Sequence, residues 1–216
     1  MKLSDNMDKE KLPRTTIKEA FEKKAGTKVR LAGWVYDSRA LGKVRFLVLR
    51  DITGRMQVVG VKSETPEHIF EMMGKVNRES VVYIDGVVKD AKQAPGGKEL
   101  GIDGIELVSA ASENLPIDVS DFSKTELPKR LDYRFLDLHR GRVQAVFKIQ
   151  NEISNAFREY FYRKGFLEMQ PPCIISAASE GGTELFPVQY FEKKAFLAQS
   201  PQLYKQMLAC SVEKTF

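Results

Sequence analysis

Between Lys28 and Ala110 the chain falls into five short runs in which apolar and polar residues alternate: "KVRLAGWVYDSR", "KVRFLVLRD", "MQVVGVK", "SVVYIDGVVKD" and "GIELVSA". Each is rich in Val, Ile, Leu or aromatic residues and is bounded by Gly, Asp, Thr or Pro, which is the signature of β-strands with one buried face. "RDITGR" (residues 50–55) joins the second run to the third through a Thr-Gly turn and predicts a hairpin. Between the third and fourth, "SETPEHIFEMMGKV" is long enough for one helix. Upstream, Thr16-Ile17-Lys18-Glu19 has the Thr-x-x-Glu form of a capping box, and Gly26 follows "EKKA", so a helix is expected over 17–25.

Five strands with a helix between the third and fourth outline an OB-fold, a small barrel that often holds single-stranded nucleic acid. Past Ala111 the two-residue period is lost, and the polar, proline-containing segment 112–140 reads as a hinge or linker. From Val143 the spacing becomes helical, with Val143, Val146, Ile149, Ile153, Phe157 and Tyr160 three or four residues apart. That helix should end near Gly165, and "FLEMQPP" should then form a strand stopped by Pro171 and Pro172. The organisation expected is a barrel over 15–111, a hinge over 112–140 and a second, α+β domain over 141–216.

Composition narrows the class without naming a function. A hydrophobic share of 43% and a charged share of 29% are ordinary for a water-soluble globular chain. No apolar run has membrane-spanning length, and "MKLSDNMDKEKLPR" has no apolar core behind its charges, so neither an anchor nor a signal peptide is expected. Two cysteines and two histidines leave no disulfide framework and no metal site with ligand spacing, which fits a reducing, cytoplasmic setting. Net charge of +5 is a mild lean toward polyanions.

Candidate chemistry sits in two places. If Leu47 and Leu49 point into the barrel, Phe46 points out, beside Arg45 or its cross-strand neighbours, where it can stack an unpaired base. Gln57 also alternates outward, with an amide that can donate to and accept from a base edge, and Arg39 ends the first strand. The second place is "SEGGTELFPVQYFEKKAFLAQSPQLYKQ" (179–206). There Glu180 lies beside two glycines on a loop free to move, and suits an ammonium group. Gln202 and Lys205, three apart, share one face of a helix opening at Pro201 and suit a small carboxylate. Surface Phe and Gln residues are commonplace, and Ser200-Pro201 is equally a plain helix start, so spacing leaves both readings open at each place.

Three segments together resemble aspartyl-tRNA synthetases of the archaeal and eukaryotic type, which are class II enzymes: "RLDYRFLDLHR" (130–140), the long helix with "GFLEMQPP", similar to class II motif 1, and the 179–206 stretch. "GWVYDSRALGKVRFLVLRDITGRMQVV" in turn resembles that family's anticodon-binding domain. The resemblance implies that Phe46 stacks on the central uridine of the aspartate anticodon, Gln57 reads that base and Arg39 lies nearby. It implies that Glu180 closes over the substrate amino group, Gln202 contacts the amino acid and Lys205 holds the aspartate side-chain carboxylate. A cation at Lys205 favours aspartate over the neutral asparagine of the related asparaginyl enzymes, since a buried charge needs a partner. Pro172 matches the proline at the family's dimer interface, and Pro171 departs from a more usual threonine.

The family reaction joins aspartate to ATP as aspartyl-adenylate and passes the acyl group to tRNA. Motifs 2 and 3, with the arginines and acidic groups that hold ATP and Mg²⁺, come after the segment ending at Phe216 in such enzymes. No catalytic residue and no metal ligand is therefore expected within these 216 residues, and the isolated chain is expected not to make adenylate. The expected fold is an OB barrel hinged to an incomplete class II catalytic domain with an antiparallel sheet, exposing apolar surface on its last elements. Expected partners are tRNA bearing the aspartate anticodon, aspartate, and either a second copy or a complementing C-terminal fragment. A truncated aspartyl synthetase is the first choice; a non-catalytic tRNA-binding module and one piece of a split synthetase are the alternatives, with an asparaginyl enzyme behind them.

Overall fold

The computed structural model describes residues 12–176 and 185–216. They divide into two compact units, one up to Pro116 and one from Ile117.

The first unit contains β1 (Arg14–Thr15), α1 (Ile17–Glu22), β2 (Lys28–Leu41), β3 (Val44–Arg50), β4 (Arg55–Val61), α2 (Glu67–Lys75), β5 (Val81–Asp90) and β6 (Lys98–Ser109). The strands run in the order β1-β2-β3-β4-β6-β5, and β2 also pairs with β5, closing the sheet into a barrel. Two antiparallel hairpin contacts and the long β5–β6 ladder carry most of the pairing. The β4–β6 contact is parallel and holds only Val58↔Leu100 and Val59↔Gly101. One face of each strand from β2 to β6 is apolar, and Leu31, Val35, Leu47, Leu49, Met56, Val58, Val82, Ile84, Val88 and Leu100 fill the interior. Ile17 and Ala20 of α1 and Met73 of α2 plug its ends. The five expected strands and the helix between the third and fourth are all present.

The capping box forms as the sequence implies. Thr16 Oγ1 accepts from the Glu19 N–H at 3.3 Å, and Glu19 Oε2 accepts from the Thr16 N–H at 2.8 Å. The next two helical N–H groups are satisfied from the β3–β4 turn: Ile17 donates to Asp51 Oδ2 at 2.8 Å and Lys18 to Thr53 Oγ1 at 3.0 Å. Asp51 Oδ1 meanwhile accepts from the Thr53 and Gly54 N–H groups, so one carboxylate both closes the hairpin and caps the helix. The helix stops at Glu22, three residues short of expectation. Lys98 Nζ takes the carbonyls of Phe21 at 2.8 Å and Lys23 at 2.5 Å, which holds the chain off the helical path. Gly26 then turns it into β2 with φ of +89°.

Gly33 marks the tightest backbone approach in the barrel. A Cβ placed there would lie 2.2 Å from the Arg50 carbonyl oxygen, and backbone in a paired strand cannot retreat. Gly33→Ala should therefore destabilise the barrel by about 1–3 kcal/mol. Urea unfolding followed by the fluorescence of Trp34, the one tryptophan, checks this; an unchanged midpoint would contradict it.

The second unit contains α3 (Leu127–Asp132), α4 (Arg134–Asp137), α5 (Gly141–Arg163), β7 (Ile174–Ile175), β8 (Pro187–Tyr190), β9 (Lys193–Leu197) and α6 (Gln202–Val212). Segment 112–140 thus carries two short helices. At their junction the fully buried Asp137 carboxylate accepts from Arg130 Nε at 2.7 Å, from Arg134, and from Arg140 Nη1 at 3.4 Å. Asp121 Oδ1 accepts from the Arg142 N–H at 3.0 Å and caps α5, and Gly165, at φ +77°, ends it. Strands β7, β9 and β8 form an antiparallel sheet in that order.

Two expectations for this unit are modified. "FLEMQPP" forms no strand; among the described residues its strand-like pairing is with the segment 214–216. Leu167 and Met169 donate to the carbonyls of Lys214 and Phe216, and Phe216 donates back to Leu167, a ladder too short to count as more than a bridge at Leu167↔Thr215. The apolar stripe of α5 is real but uncovered: Val146, Ile149, Ile153, Phe157 and Tyr160 are each more than half exposed. On α6, Leu203, Tyr204 and Met207 are exposed as well, as expected for the last elements.

Candidate functional site

Strand alternation sets the barrel's outer face. With Leu47 and Leu49 buried, Phe46 and Val48 of β3 point away from the core. The β2–β3 register puts Arg39 opposite Phe46 and Asp37 opposite Val48. The β3–β4 register adds Val59 beside Phe46 and Gln57 beside Val48. Arg39 and Phe46 therefore share one row, and Gln57 lies in the next row of the same face.

Arg39 reaches that face because of a bulge. Val35 points into the core, so in an unbroken strand Asp37 and Arg39 would point inward too. The register shifts between Val35 and Asp37, which inserts an extra residue and reverses the phase of the strand beyond it. Arg39 is exposed, with Nε 3.4 Å from Asp37 Oδ2, a contact that a phosphate or base can replace at little cost. Arg45 is not on this face. Its guanidinium lies 4.5 Å above the Phe70 ring and donates to the Phe70 and Glu71 carbonyls of α2, so it pins the helix to the barrel.

Three residues of the face escape the sequence pattern. Arg55 lies over the Tyr36 ring, its guanidinium carbon 3.7 Å from the centroid. Arg50, whose Nη2 is bonded to the buried Glu79 carboxylate at 2.8 Å, lies 5.5 Å from the same ring. The exposed Arg55 and its ring partner Tyr36 extend the aromatic and basic surface past Phe46, while Arg50 is itself buried. Glu99 of β6 accepts from Gln57 Nε2 at 3.0 Å, across 42 residues of sequence. Tyr36 and Arg55 flank recognisable turn and strand signals. Glu99 carries no local signal, because only barrel closure brings it to Gln57.

In the second unit, β9 leads into α6. Ser200 Oγ accepts from the Gln202 N–H at 3.2 Å, and the Pro201 carbonyl accepts from the Lys205 N–H at 2.9 Å. Gln202 and Lys205 are exposed one turn apart on α6, a geometry that can grip a small carboxylate from one side. Pro172 is exposed in the stretch ahead of β7. Glu180 lies outside the described residues. Among the described residues no three His, Cys, Asp or Glu side chains cluster so as to hold a metal ion, and no helix is long and apolar enough to cross a membrane.

An outward aromatic flanked by an arginine and a side-chain amide, on an OB barrel followed by an antiparallel sheet, is an arrangement suited to nucleic-acid binding. Residues 29–108 match the OB-fold nucleic acid binding domain family, and residues 126–216 match the family of class II tRNA synthetases for D, K and N. The chain belongs to the class II tRNA synthetases of this D, K and N group. It is 50% identical over 185 residues to the aspartate–tRNA(Asp/Asn) ligase of Methanospirillum hungatei, covering 85% of this chain and 43% of that one. It is 45% identical over 199 residues to the aspartate–tRNA(Asp) ligase of Pyrococcus abyssi, covering 92% and 45%. The asparaginyl-tRNA synthetase of Pyrococcus horikoshii, solved with asparaginyl-adenylate, superimposes with a TM-score of 0.87 at 36% identity, over 95% of this chain and 47% of that one. The chain thus spans less than half the length of the curated relatives it matches.

Proposed function

We propose that this chain supplies the anticodon-reading barrel and one wall of the aspartate site of an aspartate–tRNA ligase. The observation that carries the reading is the shared outer face on which Phe46, Arg39 and Gln57 meet. Phe46 stacks the central base of the anticodon, Gln57 reads its edge, and Arg39 holds the base or its phosphate. In the second unit Lys205 neutralises the side-chain carboxylate of aspartate and Gln202 contacts the same substrate, with Glu180 over its amino group. Greater identity to the aspartate ligases than to the asparaginyl structure supports aspartate as the amino acid. Pro172 belongs to a contact between two copies. Among the described residues no cluster fits a magnesium site, and ATP and Mg²⁺ are assigned to the enzyme as a whole, with no phosphate chemistry given to these side chains.

A titration of the 216-residue chain against fluorescent RNA stem-loops tests the barrel's role. Loops with uridine at the anticodon centre should bind measurably tighter than loops of scrambled sequence, with an affinity that falls as salt rises. Equal binding to every loop would reject sequence reading, and no binding would reject the RNA role altogether. One relative is named for both aspartate and asparagine tRNA. A loop changed only at the last anticodon base decides between that broader specificity and a strict one.

A further inference from the structure

An amide side chain is nearly symmetric in shape. A glutamine free to turn over can present either its carbonyl or its NH₂ to a base, and reads poorly. Gln57 is not free in this way. Glu99 Oε2 lies 3.0 Å from Gln57 Nε2, and an ionised carboxylate can only accept, so the NH₂ must face Glu99. The Gln57 carbonyl oxygen is thereby held on the other side of the amide.

Glu99 is itself placed by two ladders. It sits next to Leu100, which pairs with Val58 of β4, and opposite Lys89 of β5. Both Gln57 and Glu99 are half-buried. A recess of about 160 Å³ is lined by Val59, Lys89 and Glu99, so the Glu99 carboxylate borders open space.

We propose that Glu99 is a positioning residue that locks the Gln57 amide with its carbonyl toward the bound base, and so sets the choice of uracil over cytosine. This rests on the anticodon-reading role proposed above. The two pyrimidines have the same shape and stack alike on Phe46. They differ at ring N3, which carries a hydrogen in uracil and a lone pair in cytosine. A carbonyl fixed toward N3 accepts from uracil and repels cytosine. An amide able to flip donates to cytosine instead, and the distinction is lost.

The test compares stem-loops with uridine or cytidine at the anticodon centre, bound to the full 216-residue chain and its variants. Glu99→Leu should raise affinity for both RNAs, because a negative charge leaves the interface, while the uridine-to-cytidine ratio falls about tenfold or more. Glu99→Gln removes the same charge but sets a second reversible amide against Gln57, so it should raise both affinities and lower the ratio as well, by less than Glu99→Leu. In a Gln57→Leu background, Glu99→Leu should leave the ratio unchanged. A ratio untouched by Glu99→Leu in the otherwise native chain overturns the lock. A native chain with no uridine preference overturns the anticodon reading itself, which separates the two failures. Trp34 fluorescence establishes that each variant keeps the folded barrel.

Discussion

Replacing Phe46 by alanine should weaken binding of a uridine-centred anticodon loop by roughly 5- to 150-fold, the range that removal of one base–aromatic stack of about 1–3 kcal/mol implies. The side chain is half-buried between Arg39 and Val59 on the outer face, and contributes nothing to the interior filled by Leu47 and Leu49. The loss should therefore appear in RNA affinity with the unfolding midpoint little changed. Phe46→Tyr keeps a stacking ring and should recover most of the binding. Anisotropy titrations at one fixed salt concentration give the comparison. Native affinity in the alanine variant would mean that the base stacks elsewhere, with Tyr36 as the next aromatic on the face.

The second large effect concerns stability. Asp137→Ala removes the one carboxylate shared by Arg130, Arg134 and Arg140. Breaking a buried ion pair by deleting one partner costs about 3–5 kcal/mol. Arg130 and Arg134 keep some access to water, which places the expected loss near the lower end. Arg140 does not, and its Nε already has no hydrogen-bond partner. Loss of helix measured by circular dichroism should shift to lower urea concentration, with Trp34 fluorescence as the reference for the barrel.

Acid should reproduce part of this effect. Burial pushes the Asp137 carboxyl up, but the hydrogen bond from Arg130 and the charges of Arg130 and Arg134 outweigh it and hold the group below its ordinary value. Its contribution is then fully present above the ordinary carboxylate range and disappears as pH falls through the depressed value. Asp137→Asn should lack that acid-dependent component, and an identical pH profile in the two proteins would contradict the assignment.

How much of this was legible in the sequence depended on the range of the interaction. The Thr16–Glu19 box, the strands around Leu47 and Leu49 and the long helix from Val143 are local patterns, and they stand. Alternation placed Phe46 on the outer face, whereas Arg39 was marked only as the end of the first strand, and the bulge after Val35 that brings it to that face leaves no mark in the residue pattern. Helix α1 was overextended because the cation that ends it, Lys98, lies 75 residues away from Lys23. "FLEMQPP" has the composition of a strand, yet a strand requires a partner, and among the described residues the pairing it makes is with the three-residue segment 214–216. The exposed stripe of α5 shows the same limit from the other side: periodicity says which residues form a face, and nothing about what covers it.

The parallel seam between β4 and β6 gives the barrel a place to breathe. It is held by two register pairs, whereas every neighbouring antiparallel ladder is longer, so local opening should begin there. Gln57 and Glu99 face each other across that seam. If Gln57 reads a base as proposed, the stitch that orients it also helps to keep the barrel shut, so opening of the seam should loosen base discrimination as well.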